Sequence, residues 1–495
     1  MKGLSVRRAL AMSAIARIGS SVIGFASVMV LSRLLTPTET GIFSVSAAMI
    51  TLAHALREFG ITSYINQERE LTAERVATTL GIAIAIGWSI AIALWVISEP
   101  AAQWYAQPGV GATIRVLAIG FFIIPIGSPS IAMLYRDMRY RELTYINLCS
   151  NVASSLAAIG LAAAGASYMS LAYANIVGLV ATTIGLVVVR APYLFARPGF
   201  SEWRHVTRFG FYACASLIIT YAGRIAPDLI VGRFLGIAPV AYLSRANGMT
   251  EIFRDTTVSM MQPVALSAFS AGHRDGANLK AGYLRAMALY AGIAWPFFAV
   301  LAISASPVVR LLYGAQWDES VPLLRVLCLG GALTALSALA GPALNAVGQP
   351  HRLMWREAVS QGSLILLIVI ASQFSLWLVA WALTVGAAVA FLSAQYHLAA
   401  VFALRLDDVA HATLPSAALT LISAGPAAAI LYWLDWQSYG AMAVTALIGA
   451  CSTIIWILGV LITRHPLQGE LANALRSAIV QAKSLWPRAK SNAAE

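Results

Sequence analysis

Long apolar segments separated by short polar loops follow one another along almost the whole chain. Each is long enough to cross the ~30 Å hydrocarbon core of a bilayer as a helix. The pattern predicts fourteen such segments, near residues 9–35, 38–60, 76–98, 111–135, 143–164, 168–190, 207–235, 238–269, 283–306, 321–347, 353–373, 376–402, 412–434 and 439–463. Barrel strands are excluded because the runs are too long and continuous, and an unpaired backbone is too costly in lipid. We therefore predict an all-α polytopic membrane protein.

Composition supports this fold class. Of the 495 residues, 59% are hydrophobic and only 11% are charged, whereas a soluble domain carries roughly a quarter charged residues. A disordered chain would be richer in charge and poorer in apolar residues. The N-terminus has the outline of a signal peptide, but Arg17 interrupts its apolar region and the run continues to Leu35. We therefore expect a retained first transmembrane helix.

The placement of Lys and Arg predicts the orientation. If the N-terminus is inside, 24 of the 33 basic residues lie in inner loops or in the tail at 464–495. The others lie in outer loops (Arg33, Arg115, Arg233, Arg310 and Arg325) or within predicted helices (Arg17, Arg224, Arg245 and Arg254). This bias predicts cytoplasmic N- and C-termini and an even number of helices. It also accounts for most of the net charge of +12 without a nucleic-acid partner.

The chain contains an internal repeat. Residues Leu31–Met49 are echoed without a gap by Val231–Met249, and Ile114–Gly120 is echoed by Leu324–Gly330. Just before the second pair lie two similar loops, Tyr105-Ala-Gln107 and Tyr313-Gly-Ala-Gln316. Duplicated bundles of this kind are typical of alternating-access transporters.

The repeat predicts a domain organisation. We expect a six-helix lobe at 1–200, a second six-helix lobe at 201–403 and two additional helices at 404–463, followed by a basic cytoplasmic tail at 464–495.

Two segments resemble a known family. Leu31-Ser-Arg-Leu-Leu-Thr-Pro-Thr-Glu-Thr-Gly-Ile-Phe-Ser44 resembles the first-loop signature of bacterial polysaccharide flippases (Wzx type) of the multidrug/oligosaccharidyl-lipid/polysaccharide exporter superfamily. Asp228-Leu-Ile-Val-Gly-Arg-Phe-Leu-Gly236, followed by Ala241-Tyr242, is similar to the signature of that family's second half. By helix count and spacing, the resemblance covers residues 1 to about 465.

The resemblance implies a V-shaped bundle in the bacterial inner membrane. Its expected substrate is an undecaprenyl-diphosphate-linked oligosaccharide used for exopolysaccharide, O-antigen or capsule synthesis. Membrane lipids, a polysaccharide polymerase and a chain-length regulator are the other expected partners.

Enzyme motifs are missing from the sequence. The seven histidines and four cysteines have neither metal-ligand spacing nor a nucleophile partner. No phosphate-binding loop of the Gly-x-x-x-x-Gly-Lys-Ser/Thr type occurs. We therefore expect no cofactor, no metal and no ATPase activity, with energy drawn from an ion gradient, the membrane potential or the flux of substrate.

Ionisable residues within spans are functional candidates because they are costly in lipid. Arg224 and Asp228 share one face of the seventh helix. Asp228 and Arg245 lie at similar depth on adjacent antiparallel helices, so we expect them to meet. The predicted coupling or gating network comprises Arg224, Asp228, Glu251 and Asp255.

Three arginines share one predicted depth. Arg17, Arg57 and Arg254 lie roughly 26 Å from the outer ends of their helices, at the cytoplasmic mouth. They either extend to the interface as snorkelling side chains or form a cationic vestibule for a diphosphate. The resemblance favours the vestibule, because arginines on the first, second and eighth helices lie near the cavity in that family. With Arg245, they are the substrate-binding candidates.

Three alternatives stay open. A drug or metabolite exporter of the same superfamily would suit twelve helices better and would not need several cavity arginines. A membrane polysaccharide polymerase or ligase usually carries a long periplasmic loop, whereas the longest outer loop here lies near 307–320. A structural scaffold has no reason to keep so many charges within its spans.

Overall fold

The computed structural model describes residues 3–58, 65, 68, 72–192, 194, 197–201, 221–463 and 465–470, with side chains from residue 19 onward except that of residue 58. No strand occurs within these ranges. The helices of the first half are α1 (Gly3–Leu34), α2 (Pro37–Glu58), α3 (Ala73–Trp104), α4 (Pro108–Arg136), α5 (Tyr140–Ala163), α6 (Met169–Val188) and α7 (221–234). The predicted all-α class is confirmed.

The second half continues in the same way. Its helices are α8 (Ile237–Arg274), α9 (Leu279–Ile303), α10 (Ala305–Leu312), α11 (Ser320–Ala335), α12 (Ala340–Ala346), α13 (Pro350–Ala371), α14 (Leu376–Phe402), α15 (Leu406–Trp433), α16 (Trp436–Tyr439) and α17 (Ala441–Ile462). A short 3₁₀ turn, Ala315–Trp317, lies between α10 and α11. The predicted span 321–347 is interrupted after Ala335, so that it forms α11 and α12.

Within the described ranges, eleven spans are long and apolar enough to cross a membrane. They coincide with eleven of the fourteen predicted segments. The segment at 9–35 forms α1, whose side chains are described only from residue 19, and part of the segment at 207–235 lies outside the described residues. The segment at 238–269 is helical as α8, but its charged residues make it more polar than the eleven.

The chain divides into two compact units. The first comprises 1–245, 312–319 and 365–379, and the second comprises 246–311, 320–364 and 380–495. Helix α8 therefore contributes its first turns to one unit and the rest to the other. The expected lobe boundaries at 200 and 403 stay a prediction.

Small residues allow close helix packing in the first unit, where α3 packs along α4. A Cβ added at Gly87 of α3 would lie 2.5 Å from Cγ of Pro125 in α4. A Cβ added at Gly111 of α4 would lie 2.7 Å from the carbonyl oxygen of Ser98. Such small residues let backbones approach each other in membrane proteins, where lipid gives helices little hydrophobic reason to associate.

The two repeats also meet within the first unit. A Cβ added at Gly41 near the start of α2 would lie 2.1 Å from the carbonyl oxygen of Ile237, the first residue of α8. The hydroxyl of Tyr105 donates to the carbonyl of Leu229 in α7 at 3.2 Å. The first repeat's Tyr-Ala-Gln loop therefore binds the first helix of the second repeat.

The second repeat's loop makes the reciprocal contact. The indole Nε1 of Trp317 donates to the carbonyl of Ser32 at 2.8 Å, and Nε2 of Gln316 donates to the carbonyls of Ser32 and Leu35. The last carbonyls of a helix have no partner within the helix. These donors therefore cap the C-terminal end of α1, and we call Tyr105, Gln316 and Trp317 the repeat clasp.

In the second unit, α9 packs against both α11 and α15. A buried histidine joins the chain after α17 to this group. The backbone N–H of Leu467 donates to Nδ1 of His465 at 3.2 Å, and Nε2 lies 2.9 Å from the hydroxyl of Ser416. Burial lowers the pKa of His465, which agrees with a neutral ring that accepts at Nδ1.

The clasp generates a stability prediction. Trp317 is fully buried, so Trp317→Ala should cost about 3–5 kcal/mol from the lost side chain and cavity. Trp317→Phe keeps a ring and loses a hydrogen bond, which is worth about 0.5–1.5 kcal/mol. We expect a large fall in the melting temperature of the purified protein in detergent for the alanine variant and a small one for the phenylalanine variant.

Trp433 provides the control for this prediction, because its side chain is 80% exposed. Trp433→Ala should leave the melting temperature close to that of the unmodified protein. If Trp317→Ala behaves like Trp433→Ala, the clasp does not stabilise the fold.

Candidate functional site

Charged side chains are concentrated in α8, the most polar of the long helices. Four of the predicted site residues lie on it: Arg245, Glu251, Arg254 and Asp255. Charges within a membrane-spanning helix must be paired, hydrated or enclosed by protein, because an isolated charge in hydrocarbon is costly. The structure shows how two of the arginines are accommodated.

Arg254 is held by carboxylates of its own helix. Its Nη2 lies 3.3 Å from Oε1 of Glu251 and 3.3 Å from Oδ1 of Asp255. The side chains of Arg254 and Asp255 are 41% and 49% exposed, so the cluster is open on one side. The three groups carry a formal net charge of −1, so the guanidinium is already neutralised.

Aromatic packing orients the part of α8 that carries this cluster. The ring of Phe253 stacks on that of Phe297 in α9, with centroids 4.0 Å apart and planes inclined by 10°. Phe298 meets Phe253 edge to face at 5.2 Å, and the hydroxyls of Thr257 and Tyr290 lie 3.1 Å apart. Neighbouring contacts of α8 with α9 thus support the Arg254 cluster. Sequence reasoning missed these rings, although the adjacent Phe297 and Phe298 were an available signal.

Arg245 lies in an aromatic environment in the first unit. Its Cζ is 5.6 Å from the ring centroid of Tyr313 and 5.1 Å from that of Trp317. Tyr242 packs edge to face against Trp317 at 6.0 Å. Among the described residues, none bonds the buried Nε of Arg245. A desolvated cation over aromatic faces gains about 2 kcal/mol or more.

This arrangement connects Arg245 to the repeat clasp, since Trp317 also caps α1. Burial raises the pKa of Tyr313, and the positive charge of Arg245 opposes that rise. The similar Tyr…Gln loops of the two repeats were the sequence signal for this region. The contact of the second loop with the end of α1 was not predictable. Pairing of Arg245 with Asp228, and its binding of substrate, stay predictions.

Arg57 lies in the last turn of α2 and reaches α4. Its Nη1 donates to the hydroxyl of Ser128 at 3.2 Å. One turn earlier, the ring of His54 stacks on that of Phe121, with centroids 4.7 Å apart. Arg57 is half-buried, and its role as a snorkelling side chain or as part of a vestibule stays a prediction.

The remaining predicted residues are less fully defined. Arg17 lies within α1, but its side chain is outside the described residues. In α7, Arg224 is exposed and Asp228 is half-buried, and both have interaction partners. The structure thus brings together Arg254, Glu251 and Asp255, and it places Arg57 and Arg245 in separate environments of the first unit.

A polar cluster that sequence reasoning did not select lies on α13 and α14. Arg356 pairs with Glu357, and Arg352 and Arg356 lie within electrostatic range of His397. Gln395 is only 6% exposed, and its amide atoms have no hydrogen-bond partner among the described residues. Across all the residues that the structure describes, no group of three His, Cys, Asp or Glu side chains could hold a metal ion.

Solved transporters share this fold. The lipid II flippase MurJ in an inward closed conformation aligns with a TM-score of 0.75 at 13% identity, covering 91% of this chain and 98% of that chain. An inward-facing multidrug resistance transporter of the MATE family, in the MOP superfamily, aligns with a TM-score of 0.64 at 14% identity, covering 77% and 95%. At these identities the likeness shows the fold alone.

Sequence relatives come from polysaccharide biosynthesis. The chain is 22% identical over 342 residues to the lipopolysaccharide biosynthesis protein WzxC of Escherichia coli (68% of both chains). It is 25% identical over 359 residues to the succinoglycan biosynthesis transport protein ExoT of Rhizobium meliloti (71% of both). Residues 30–322 match the family described as polysaccharide biosynthesis protein. Since this match spans more than half of the chain, the protein belongs to the polysaccharide biosynthesis protein family.

Proposed function

We propose that the protein is an inner-membrane flippase that moves undecaprenyl-diphosphate-linked oligosaccharide repeat units across the bilayer by alternating access. The family match over residues 30–322 carries the proposal. The relatives named for lipopolysaccharide and succinoglycan synthesis support it, as does a fold shared with a lipid flippase. A polysaccharide polymerase and a chain-length regulator are the expected partners, because flipped units must be joined into a chain of controlled length.

A drug exporter is the second candidate, because a MATE transporter shares the fold. The arginine candidates Arg17, Arg57 and Arg254 favour the flippase. A diphosphate needs fixed cationic donors to replace its water, and the planar fork of arginine suits phosphate oxygens. Catalysis as a polymerase has less support, since the relatives include a named transport protein and the segment 307–320 is occupied by α10 and a 3₁₀ turn.

Recognition of the diphosphate is assigned to Arg17, Arg57 and Arg254. Arg254 is already close to Glu251 and Asp255. An arriving diphosphate would therefore compete with two carboxylates, which keep the guanidinium in position before the substrate binds. A doubly charged anion wins this competition more readily than a neutral lipid does.

The first prediction concerns export. In a strain that lacks the gene, lipid-linked repeat units should accumulate at the cytoplasmic face, and the unmodified protein should restore polymer export. Arg17→Ala and Arg254→Ala should abolish export at normal protein level. Arg57→Ala should be milder because this residue lies at a helix end. Lysine at positions 17 and 254 should restore export only partly, since it returns the charge without the fork.

Arg274→Ala is the matched control, because Arg274 lies exposed in the last turn of the same helix as Arg254. It should export normally. Normal export by both the Arg17 and Arg254 alanine variants would reject the arginine vestibule. Absence of accumulated lipid-linked units in the deletion strain would reject the flippase itself.

Energy coupling is assigned to Asp228, which lies half-buried in α7. We expect Asp228→Asn to impair transport or to change its dependence on H⁺ or Na⁺, because the change removes the charge that holds or carries the cation. Transport into inverted vesicles under imposed ion gradients measures this dependence. Asp275→Asn, in the exposed loop after α8, is the control, and unchanged ion dependence in Asp228→Asn would rule out the coupling role.

Cytoplasmic termini are part of the proposal, supported by the strong Lys and Arg bias. Reporter fusions after Glu495 and in the loop near Arg139 should report cytoplasm. Fusions near Pro108 and Asp318 should report periplasm. A periplasmic C-terminus would be incompatible with fourteen spans.

A further inference from the structure

Two arginines occupy the same position in the repeat but have different partners. Arg115 in α4 and Arg325 in α11 each precede the sequence Val-Leu in the echoed segments. Nη2 of Arg115 pairs with Glu99 at 2.6 Å, and its Nε donates to the hydroxyl of Ser98 at 2.9 Å. The first repeat therefore gives its arginine a carboxylate.

The second repeat lacks that carboxylate. Nη2 of Arg325 donates to the hydroxyl of Ser306 at 3.2 Å. Ser306 precedes Pro307, as Glu99 precedes Pro100 in the first repeat. Among the described residues, no carboxylate is paired with Arg325, so a serine stands where the related arginine has its counter-charge.

Arg325 borders an apolar groove within the second unit. The groove has a volume of about 490 Å³ and lies between α9, α11 and α15, within the ~300–1,000 Å³ range of ligand sites. Its lining is almost entirely apolar and includes Trp295, Phe298, Ala302, Leu329, Leu333 and Leu421. Along α11 it extends from position 325 to 333, which is roughly 12 Å of helix.

The groove is open on one side. Leu421 is 77% exposed and Leu329 is 49% exposed, although both belong to helices apolar enough to span a membrane. Arg325 lies only about 8 Å from the start of α11, which is the depth of an interface rather than of the bilayer centre. A headgroup at the arginine and an acyl chain along the apolar wall would follow the direction of a lipid in one leaflet.

We propose that this groove binds an anionic glycerophospholipid of the bilayer, with its phosphate on Arg325 and one acyl chain against Leu329 and Leu333. The phosphate supplies the negative charge that Glu99 supplies to Arg115. Arginine binds phosphate oxygens through parallel N–H donors, and basic pockets between transmembrane helices bind lipid headgroups. The short length of the groove fits a phospholipid chain better than a long polyprenyl chain.

Native mass spectrometry of the purified full-length protein tests this site, with phosphatidylglycerol and phosphatidylethanolamine as the added lipids. We expect the protein to retain phosphatidylglycerol preferentially. Arg325→Gln should weaken the affinity for phosphatidylglycerol at least tenfold, because it removes the charged donor of the phosphate. Ser306→Glu should have the same effect while Arg325 is kept, because it restores the counter-charge of the first repeat.

Arg115→Gln is the matched control and should bind phosphatidylglycerol like the unmodified protein. Leu329→Trp should reduce binding by filling the groove without changing any charge. Unchanged phosphatidylglycerol binding in Arg325→Gln and Ser306→Glu would overturn the proposal. Binding of undecaprenyl phosphate in place of phosphatidylglycerol, with the same dependence on Arg325, would also overturn it. If Arg325→Gln fails to elute as a folded protein, Ser306→Glu carries the test.

Discussion

The cost of an ionised side chain in hydrocarbon governs how the helices of this protein are arranged. Three arginines within described helices meet that cost in different ways. Arg245 is covered by the rings of Tyr313 and Trp317, and Arg254 is paired with carboxylates of its own helix. Arg57 bonds to a serine of a neighbouring helix. The first two sets of contacts accommodate two arginines of α8, the most polar of the long helices.

The repeat shows which contacts come from duplication and which come from divergence. Both Tyr…Gln loops donate to the first helix of the opposite repeat, so the clasp has retained its reciprocal form. The two related arginines, in contrast, have different partners: Arg115 pairs with a carboxylate, whereas Arg325 bonds to a hydroxyl. This difference at a duplicated position indicates that Arg325 has a different partner. The apolar groove beside it indicates that this partner has an apolar part.

Much of the fold was predictable because hydropathy acts locally along each span. Within the described residues, eleven spans occur where the apolar pattern placed them, and α8 is helical despite its charges. The break after Ala335 was not predicted, because the apolar pattern continues through it. The contact between Trp317 and Ser32 joins residues 285 positions apart, and no periodicity encodes such a pairing. Likewise, the charge of Arg254 was visible in the sequence, but its pairing with Glu251 and Asp255 depends on rotamers that packing selects.

The carboxylates around Arg254 have a consequence for selectivity in the proposed flippase. A ligand can shift a conformational equilibrium only through its different affinities for the two states. A neutral amphiphile gains little from Arg254, since it cannot replace Glu251 and Asp255 as the counter-charge. A diphosphate can replace them, and it would leave two carboxylates to find new donors or water. Binding of the charged substrate would therefore rearrange the polar contacts of α8, whereas binding of the lipid chain alone would not. This difference gives a physical reason why an empty transporter need not change state while a loaded one does.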